Sequence, residues 1–373
     1  MRVGVIGVGK VGSCMMACFA KHGHNVLGYD VRQNPLDNIS RTEKDLSRLI
    51  ERFKLRDRIR SLEEVVSHSE ILFIIVQTPS LPNGCFDISY VERALRDIRR
   101  IDRSKPCVVN STLPPGACRK LSSLVDSLFY NPLYIRLGNV IEDLERIRFV
   151  MIGSSDGQPF KKLEDFWRRT SAADHILWDI YETVEVTKLA LNCIMTCQIS
   201  MINKLDEIFE KSSGNIEYLL QILKLDDRFK FGSYRPGLGY GGPCLPRDNR
   251  MMGYHCARIG VNGFIFDEID NINSEQLYRI AEKYRAYDRI GVYGLGYKPH
   301  SDITTDSQPL QLVRVLRDMG KTVETYDPYL PELSTVKSEE ELEKKTEIIL
   351  LCFPYNTKIK CERIWRTGHD RDI

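Results

Sequence analysis

The first twelve residues of the chain constrain its fold more than any other segment. Residues 2–7 (RVGVIG) form a short apolar run, which predicts a buried strand, and the turn that follows carries Gly7, Gly9 and Gly12. The next predicted strand ends at Asp30, eighteen residues after Gly12. A glycine turn between a strand and a helix, followed by an acidic residue at the end of the next strand, is typical of a dinucleotide-binding fold.

The chemistry of this turn indicates which dinucleotide it binds. Glycines let the backbone approach a pyrophosphate at the helix N-terminus, where the N–H groups and the helix dipole favour anions. Asp30 would accept hydrogen bonds from the ribose and repel a 2′-phosphate, which favours NAD over NADP, although Arg32 leaves that choice open. The predicted NAD-binding residues of this segment are Gly7, Val8, Gly9, Lys10, Val11, Gly12 and Asp30. A glycine turn without a ligand is the alternative.

Strand-like and helix-like segments alternate along the N-terminal part of the chain. The predicted strands lie at 2–7, 25–29, 71–77, 106–110 and 149–153, and a helix lies at about 88–101. This alternation implies a parallel sheet with right-handed crossovers. The opening pattern recurs near the C-terminus, where a strand at 289–293 precedes a Gly-Leu-Gly turn and a strand at 322–326 precedes Asp327. The pattern therefore predicts a second, smaller doubly wound domain.

The middle of the chain reads differently. Residues 181–211 contain neither proline nor glycine, and their apolar residues recur at helical spacing. One helix of this length would span roughly 45 Å, and it would form a buried spine, link two domains or make a dimer interface. We predict an α/β fold with two Rossmann-like doubly wound domains joined by this long central helix. The predicted domains are 1–178, 179–287 and 288–373.

Composition excludes several classes of function. The net charge is +2, so there is no electrostatic case for nucleic acid or an acidic membrane as a partner. No run of about 18 apolar residues is present, which argues against a membrane span. The eleven cysteines lack the spacing of metal sites, so we expect no metal, reduced thiols and a cytoplasmic protein.

A loop rich in glycine and proline at residues 236–248 (PGLGYGGPCLPRD) contains the most conspicuous cysteine. Four glycines and three prolines predict a rigid loop that exposes backbone N–H groups. Cys244 lies within it, next to the N–H donors and close to Arg247, and such an environment favours a reactive thiolate. Asp248 follows four residues later. A buried structural cysteine in a tight turn is the alternative.

Two polar residues interrupt the long predicted helix. Lys188 and Asn192 are four residues apart and therefore share one helix face. A lysine on an otherwise apolar face can supply a cation to a developing oxyanion. By itself, such a lysine is more often a surface residue with a buried stem.

Taken together, these segments resemble the UDP-glucose/GDP-mannose dehydrogenase family over essentially the whole chain. The matching segments are GVIGVGKVG (4–12), VQTPS (76–80), NSTLPPG (110–116), YNPLYIRLGNVIED (130–143), EVTKLALN (185–192), PGLGYGGPCLPRD (236–248), GVYGLGYKP (291–299), DITTDSQP (302–309) and YDP (326–328). Both their order and their spacing fit the family. The loop around Cys244 is the most specific of them.

The resemblance implies an NAD-dependent oxidation of the C6 alcohol of a nucleotide sugar, with UDP-glucose or a related UDP-hexose as the leading substrate. Two hydrides leave the same carbon in sequence. The thiolate of Cys244 captures the intermediate aldehyde as a thiohemiacetal, which becomes a thioester, and water releases the uronic acid, a building block of polysaccharides. The resemblance also implies a homodimer and assigns nucleotide-sugar binding to the C-terminal domain.

The resemblance further assigns roles to individual residues. Lys188 and Asn192 would hold the C6 oxygen and its bound water, Asp248 is the carboxylate beside the cysteine, and Thr112 helps to place water. The further expected contacts are Thr78 and Ser111 with the cofactor, and Tyr234, Gly241, Lys298 and Arg228 with the substrate, Arg228 reaching the site of a neighbouring subunit.

The chain departs from the family at three positions. Leu133 stands where the family has the glutamate that acts as a base in thioester hydrolysis, and Leu137 replaces a second glutamate found in many members. Thr305 replaces an arginine that helps to hold NAD. A leucine cannot accept a proton, so we expect hydride transfer and capture by the cysteine to survive, while thioester hydrolysis is slow or runs through Asp248 and water. The segment after residue 353 is short and fits the family poorly.

Two other functions are consistent with parts of the pattern. A two-electron hydroxyacid dehydrogenase would also pair a nucleotide domain with a long helix carrying lysine and asparagine, but the Cys244 loop and the second nucleotide-like domain argue against it. A non-catalytic protein that senses a sugar nucleotide or NAD would explain Leu133, Leu137 and Thr305. The retention of Cys244 together with its polar neighbours argues against that possibility.

Overall fold

The computed structural model describes residues 1–37, 43–227, 229 and 235–364. The chain divides into two compact units, Met1–Ala190 and Leu191–Ile373. The boundary between them falls inside one continuous helix. The predicted division into three domains stays a prediction.

The first unit alternates strands and helices. Its elements are β1 (Arg2–Ile6), α1 (Lys10–Lys21), β2 (Asn25–Tyr29), α2 (Leu46–Arg52), α3 (Leu62–His68), β3 (Ile71–Ile74), α4 (Ser89–Asp102), β4 (Cys107–Val109), α5 (Ala117–Leu121), β5 (Leu128–Tyr130), α6 (Val140–Arg146), β6 (Phe149–Ser154), α7 (Lys161–Thr170), β7 (His175–Ile180) and the start of α8 (Tyr181–Lys211). Short 3-10 turns lie at Leu55–Arg58 and Ser122–Leu124.

The described strands of this unit form a seven-stranded sheet in the order β2-β1-β3-β4-β5-β6-β7. All neighbours are parallel except β5 and β6, which meet at Tyr130 and Gly153. The chain leaves β1 for β2 on one side and returns to β3 on the other, so the winding direction reverses between β1 and β3. In open α/β sheets, ligands bind beyond the carboxyl ends of the strands at such a reversal.

Each face of this sheet is covered by its own core. Central strand residues such as Val5 and Phe73 are fully buried, as expected for parallel strands with helices on both faces. On one face, the Phe19 ring packs edge-on against Phe166 at 4.8 Å and Phe166 lies next to Trp167 at 5.5 Å. Both Phe19 and Phe166 also contact the Phe73 ring of β3, at 5.0 and 4.7 Å, which fixes α1 and α7 against the sheet. Helix α1 carries the glycine turn at its start.

The second unit contains the rest of α8 and a second sheet. Its remaining elements are α9 (Ile216–Leu225), α10 (Leu245–Ile259), α11 (Phe264–Lys283), β8 (Arg289–Tyr293), α12 (Gln308–Asp318), β9 (Thr322–Tyr326), a 3-10 turn (Pro331–Leu333), α13 (Glu339–Lys345), β10 (Ile348–Leu351) and β11 (Glu362–Arg363). Its four described strands are all parallel, in the order β11-β10-β8-β9. Here too the winding reverses beside the first strand, between β8 and β10.

The predicted fold class, α/β with two Rossmann-like doubly wound domains and a long central helix, is confirmed. The boundaries differ at two places that matter for the site. Helix α1 begins at Lys10, inside the predicted glycine turn, and α10 begins at Leu245, so the predicted loop at 236–248 ends at Cys244. Among the described helices, none is both long and apolar enough to cross a membrane.

Candidate active site

Two glycines of the first turn are required by its shape. Gly7 has φ +95°, and a Cβ there would lie 2.4 Å from the carbonyl oxygen of Ile75. A Cβ on Gly12 would lie 1.9 Å from the carbonyl oxygen of Gly7. A Cβ on Gly9 would instead meet only the Arg32 Nη2, at 3.9 Å. The backbone at Gly9 therefore borders open space.

This open space lies at an anion-binding position. Helix α1 begins directly after Gly9, and its first N–H groups, from Lys10 onward, precede the helical hydrogen bond from Ser13 N to the Gly9 carbonyl at 2.9 Å. The first N–H groups of a helix and its dipole attract a phosphate. The turn also lies at the winding reversal between β1 and β3. The glycine turn therefore fits the pyrophosphate of a dinucleotide.

Asp30 follows β2, and its carboxylate is engaged by the protein. Oδ2 accepts the Val8 N–H at 2.8 Å, and Oδ1 accepts the backbone N–H and the Nε of Arg32, both at 2.9 Å. Burial alone would raise the pKa of Asp30, but the hydrogen bonds from Arg32 and Val8 outweigh it and lower the pKa below its ordinary value. The carboxylate is therefore ionised at neutral pH.

The other predicted cofactor residues follow β3 and β4. Ser111 joins the two strand ends, because its hydroxyl donates to the Val76 carbonyl at 2.7 Å and accepts the Val76 N–H at 2.9 Å. Thr78 is buried, and Thr112 beside Ser111 is half-buried. The hydroxyl of Ser111 is thus committed to the backbone, where it fixes the edge of the predicted cofactor site.

Lys188 of α8 is buried within the first unit. Its Nζ donates to the Leu133 carbonyl at 2.9 Å and lies 4.6 Å from the centroid of the Tyr134 ring. Leu133 is itself buried and belongs to the hydrophobic core. The surface-lysine alternative is therefore wrong. The ammonium group is held by a carbonyl oxygen and an aromatic face, which together fix its position.

Glu185, one turn before Lys188, is a residue that the sequence reasoning missed. Its carboxylate accepts the backbone N–H groups of Gly116 at 2.6 Å and of Cys118 at 2.7 Å, so it holds the end of the segment that carries Thr112. The side chain is fully buried, and burial raises its pKa above the ordinary value despite these hydrogen bonds. An acidic residue on an apolar helix face, three residues before Lys188, was the available signal.

In the second unit, side chains from two helices form hydrogen bonds with the backbone of the glycine-rich loop. Asn273 of α11 accepts the Tyr240 N–H at 2.8 Å and donates to the Tyr240 carbonyl at 2.9 Å. Gly237 donates its N–H to Asn203 of α8 at 2.9 Å, and its carbonyl accepts from Gln276 at 2.7 Å. These four hydrogen bonds make the loop the rigid element that its composition predicts.

Cys244 is exposed and occupies the N-cap position of α10. Pro246 lies in the first turn of this fifteen-residue helix, where its missing N–H is tolerated. The first N–H groups of the helix and the positive end of its dipole favour a negative charge at the cap, where the Cys244 sulfur lies. The alternative of a buried structural cysteine is wrong.

Asp248 lies one turn into α10 and is 2% exposed. Its Oδ2 accepts the Asn192 Nδ2 at 2.6 Å, and its Oδ1 lies 3.6 Å from the Nε of Arg247. The Asp248 N–H donates to the Cys244 carbonyl at 2.9 Å. Asn192, Asp248 and Cys244 are therefore connected through hydrogen bonds, as one arrangement at the start of α10.

The loop also packs against the segment that carries Lys298. A Cβ on Gly241 would lie 2.4 Å from the Asp306 carbonyl oxygen, and a Cβ on Gly242 (φ +87°) would lie 2.3 Å from the Tyr297 ring. Lys298 is half-buried, with its ammonium 5.6 Å from the Tyr297 ring centroid. Thr305 is exposed. Arg228 and Tyr234, both predicted substrate contacts, lie outside the described residues.

The two acidic residues that follow Leu133 in the same segment, Glu142 and Asp143, both form ion pairs. Asp143 accepts from the Arg136 guanidinium at 2.7 Å, and its side chain is 12% exposed. Glu142 pairs with Arg146 at 2.8 Å. Asp143 therefore anchors the segment before α6, because it also accepts the backbone N–H of Arg136 at 2.6 Å.

One described cluster has the residue types of a metal site. Ligand atoms of Cys18, His22 and Glu145 lie within 4.8 Å of one another. The Glu145 carboxylate already bonds the His22 ring at 3.0 Å and the Lys21 ammonium at 2.7 Å. The ion pair accounts for this arrangement, and we assign no metal to it.

Comparisons with known proteins decide the family. Residues 1–171 match the NAD binding domain of the UDP-glucose/GDP-mannose dehydrogenase family, and residues 182–275 match its central domain. The chain belongs to this family. It is an oxidoreductase, and its cofactor is NAD, which the glycine turn and Asp30 fit.

Similar proteins of this family are nucleotide-sugar dehydrogenases with different substrates. GDP-mannose 6-dehydrogenase of Pseudomonas aeruginosa is 26% identical, over 88% of this chain and 81% of that protein. UDP-N-acetyl-D-mannosamine dehydrogenase of Pyrococcus horikoshii is 27% identical, over 88% of this chain and 84% of that protein. The structure of a UDP-glucose dehydrogenase from Pyrobaculum islandicum is 25% identical, with a TM-score of 0.84 over 95% of this chain and 90% of that one.

Proposed function

We propose that the chain oxidises the C6 alcohol of a nucleotide sugar to the uronic acid through a covalent intermediate on Cys244. UDP-glucose or a related UDP-hexose is the leading substrate. The observation that carries the proposal is the exposed Cys244 thiol at the N-cap of α10, next to the hydrogen-bonded pair of Asn192 and Asp248. An exposed thiol in this position suits nucleophilic attack on a carbonyl carbon.

When bound, NAD accepts the hydrides that leave C6. Cys244 acts between the two oxidations. Its sulfur forms a bond to the aldehyde carbon while the carbonyl oxygen takes a proton, which gives a thiohemiacetal. Loss of a second hydride from carbon and of the hydroxyl proton gives a thioester. Water then adds to the thioester carbon, the carbon–sulfur bond breaks, and the carboxylate and the thiol are released.

The remaining residues stabilise charge and place water. We assign to Lys188 the stabilisation of the developing oxyanion at C6, because its ammonium is held in a fixed, desolvated position. Asp248 would accept protons at the thiol, with Asn192 orienting its carboxylate. Thr112 would place the attacking water. Tyr234, Gly241, Lys298 and, from a neighbouring subunit of a homodimer, Arg228 are the proposed substrate contacts.

We also propose that thioester hydrolysis is the slow step. Leu133 and Leu137 have no group that can take up a proton, and Leu133 is part of the hydrophobic core. General-base assistance contributes roughly a hundred- to ten-thousand-fold in rate. Water activation would therefore depend on Asp248, whose carboxylate is already shared with Asn192.

The test is NADH formation with a panel of UDP- and GDP-sugars, followed together with the mass of the protein. We expect a burst approaching two NADH per active site, a sugar adduct on Cys244 and slow turnover afterwards. Rapid turnover at two NADH per uronic acid, without an adduct, would contradict the slow hydrolysis step alone. Failure of every sugar to yield NADH would contradict the proposed reaction.

Two cysteine variants separate the chemistry from the fold. Cys244→Ser should abolish the adduct and the formation of uronic acid. Cys361→Ser changes a half-buried thiol in the last described segment and should behave as the unmodified chain. Full activity of Cys244→Ser would instead favour a two-electron dehydrogenase.

A further inference from the structure

The guanidinium of Arg32 covers the carboxylate of Asp30. Its Nε donates to Oδ1 at 2.9 Å, and its Nη2 donates to Oδ2 at 3.2 Å and to the Val8 carbonyl at 3.1 Å. The Asp30 side chain is only 8% exposed, whereas that of Arg32 is 52% exposed. The charged group that is exposed to solvent after β2 is therefore the guanidinium of Arg32.

The acceptor capacity of Asp30 is already used. Its two oxygens receive four donors, namely the Val8 N–H and the backbone N–H, Nε and Nη2 of Arg32. A carboxylate offers about four lone-pair sites. A ribose diol that bound Asp30 in the usual manner would have to displace Arg32. The carboxylate by itself is therefore a weaker discriminator against a 2′-phosphate than its position in the sequence implies.

Arg32 retains donors that face outward. Within the described part of the chain, no acceptor bonds its Nη1. Its Nη2 is also the nearest atom to the open space at Gly9, 3.9 Å from the position of a Cβ there. Charge-assisted hydrogen bonds from a guanidinium to phosphate are strong, so the Nη1 group and the charge of Arg32 are suited to a phosphate at the edge of the cofactor site.

A second cation lies next to the end of β2. Ile59 pairs with Gly28 in a parallel bridge, and the N–H of Arg60 donates to the Gly28 carbonyl at 2.9 Å. The Arg60 side chain is exposed and bonds the Ile59 carbonyl, and it makes no ion pair with the residues that the structure describes. Arg60 therefore adds positive charge beside the strand that ends at Asp30.

We propose that Arg32 makes the cofactor site accept a 2′-phosphate, so that the chain binds NADP in addition to NAD. Arg32 holds the phosphate and offsets the charge of Asp30, and Arg60 contributes a long-range attraction. Cofactor selection at Arg32 does not depend on which sugar is oxidised.

The test measures binding of two nucleotide fragments that differ only in the 2′-phosphate. Adenosine 5′-monophosphate and adenosine 2′,5′-bisphosphate are titrated calorimetrically into the full chain. We expect the bisphosphate to bind at least as tightly as the monophosphate, with its advantage shrinking as salt is raised. Arg32→Ala should weaken the bisphosphate at least about tenfold, which is the size of one charge-assisted hydrogen bond, and leave the monophosphate unchanged or tighter.

Two further variants make the result specific. Arg48→Ala removes an arginine of α2 that is 70% exposed and pairs with Asp45, and it should change neither affinity. Arg32→Lys keeps the charge without the planar fork and should give an intermediate affinity for the bisphosphate. Thermal unfolding midpoints of all variants establish that they fold.

Two outcomes would overturn the proposal. In the first, the unmodified chain binds the bisphosphate at least tenfold more weakly than the monophosphate, so that Asp30 governs selection. In the second, Arg32→Ala weakens both fragments equally, which would make Arg32 only a support for Asp30. Measuring the affinities of NAD and NADP in the same way extends the result to the whole cofactors.

Discussion

The contact between Asn192 and Asp248 is the residue-scale feature on which the candidate site depends. The Asp248 carboxylate is 2% exposed, and Asn192 donates to it at 2.6 Å. Asn192→Leu removes that donor and leaves a buried acceptor without it. We expect the free energy of unfolding to fall by roughly 1–3 kcal/mol, the usual effect of losing one hydrogen bond to a buried charged group. Urea denaturation at neutral pH measures it.

The control for Asn192 is an exposed polar residue on another helix. Gln221 of α9 is exposed, and Gln221→Ala should change the unfolding free energy by less than about 0.5 kcal/mol. If Asn192→Leu were as stable as this control, Asp248 would not need the amide. The proposed orienting role of Asn192 would then lose its support.

At the scale of elements, two glycines of the turn between β1 and α1 should differ in their effects on stability and on cofactor binding. A Cβ on Gly12 would overlap the Gly7 carbonyl oxygen at 1.9 Å, whereas a Cβ on Gly9 meets only Arg32 at 3.9 Å. Gly12→Ala should therefore lower both the thermal unfolding midpoint and the affinity for NAD. Gly9→Ala should leave the midpoint nearly unchanged and weaken NAD, because the methyl group fills the space next to the phosphate site.

Calorimetric titration with NAD, together with thermal unfolding of the same samples, distinguishes the two glycine variants. Each serves as the control for the other, since both add one methyl group to the same turn. Unchanged NAD affinity in a stable Gly9→Ala variant would mean that the pyrophosphate binds elsewhere.

The same elements show how far the sequence could predict the molecule. The periodicity of apolar residues and the glycine pattern were sufficient to predict β1, β2 and the whole of α8, because these elements depend on local sequence. The short strands β5 and β7 were missed, since three to six residues with weak alternation become strands only by pairing within the sheet.

The sequence predicted which residues belong to the candidate site, but it did not predict the hydrogen bonds and ion pairs that connect them. Nothing in the sequence indicates that Glu185 bonds Gly116 and Cys118, which are 69 and 67 residues away. Likewise, the ion pair of Arg32 with Asp30 is compatible with their spacing, but the burial of Asp30 beneath it follows only from the folded turn. Tertiary contacts of this kind cannot be derived from periodicity.

At the scale of the whole molecule, α8 carries an apolar stripe that we assign to the proposed homodimer. Ile194, Met201 and Ile208 are spaced seven residues apart, and each is about half exposed, at 50%, 54% and 52%. Residues at this spacing share one side of a helix. Met201→Glu together with Ile208→Glu should shift the sedimentation coefficient from that of a dimer to that of a monomer, with the fold retained.

An acidic substitution on α9 is the control for this experiment. Gln221→Glu places a carboxylate at an exposed position and should leave the sedimentation coefficient unchanged. A dimer that survives both substitutions on α8 would mean that the stripe does not form the interface.

Stability of the whole molecule against acid should depend on His24. Its ring is buried among the rings of Phe19 and Phe166, and its Nε2 lies 3.0 Å from the Thr170 hydroxyl. That hydroxyl donates to the Phe166 carbonyl at 2.7 Å, so the neutral histidine donates from Nε2. Burial, together with the charges of the N-terminus, Arg169 and His22, lowers the pKa of His24 from 6.5 to about 4.

The sign of the effect follows from proton binding. Between pH 6.5 and about 4, the unfolded chain protonates His24 and the folded chain does not, so stability falls as the pH falls through this window. The slope approaches about 1.4 kcal/mol per pH unit for one proton.

The variant His24→Phe should remove this contribution to the pH dependence. The urea midpoint of the variant should therefore rise relative to that of the unmodified chain as the pH falls. His175→Gln, at an exposed position, should leave the pH dependence as it is. A parallel pH profile for His24→Phe and the unmodified chain would mean that His24 takes up its proton over the same pH range in the folded and unfolded states, in contradiction to its burial.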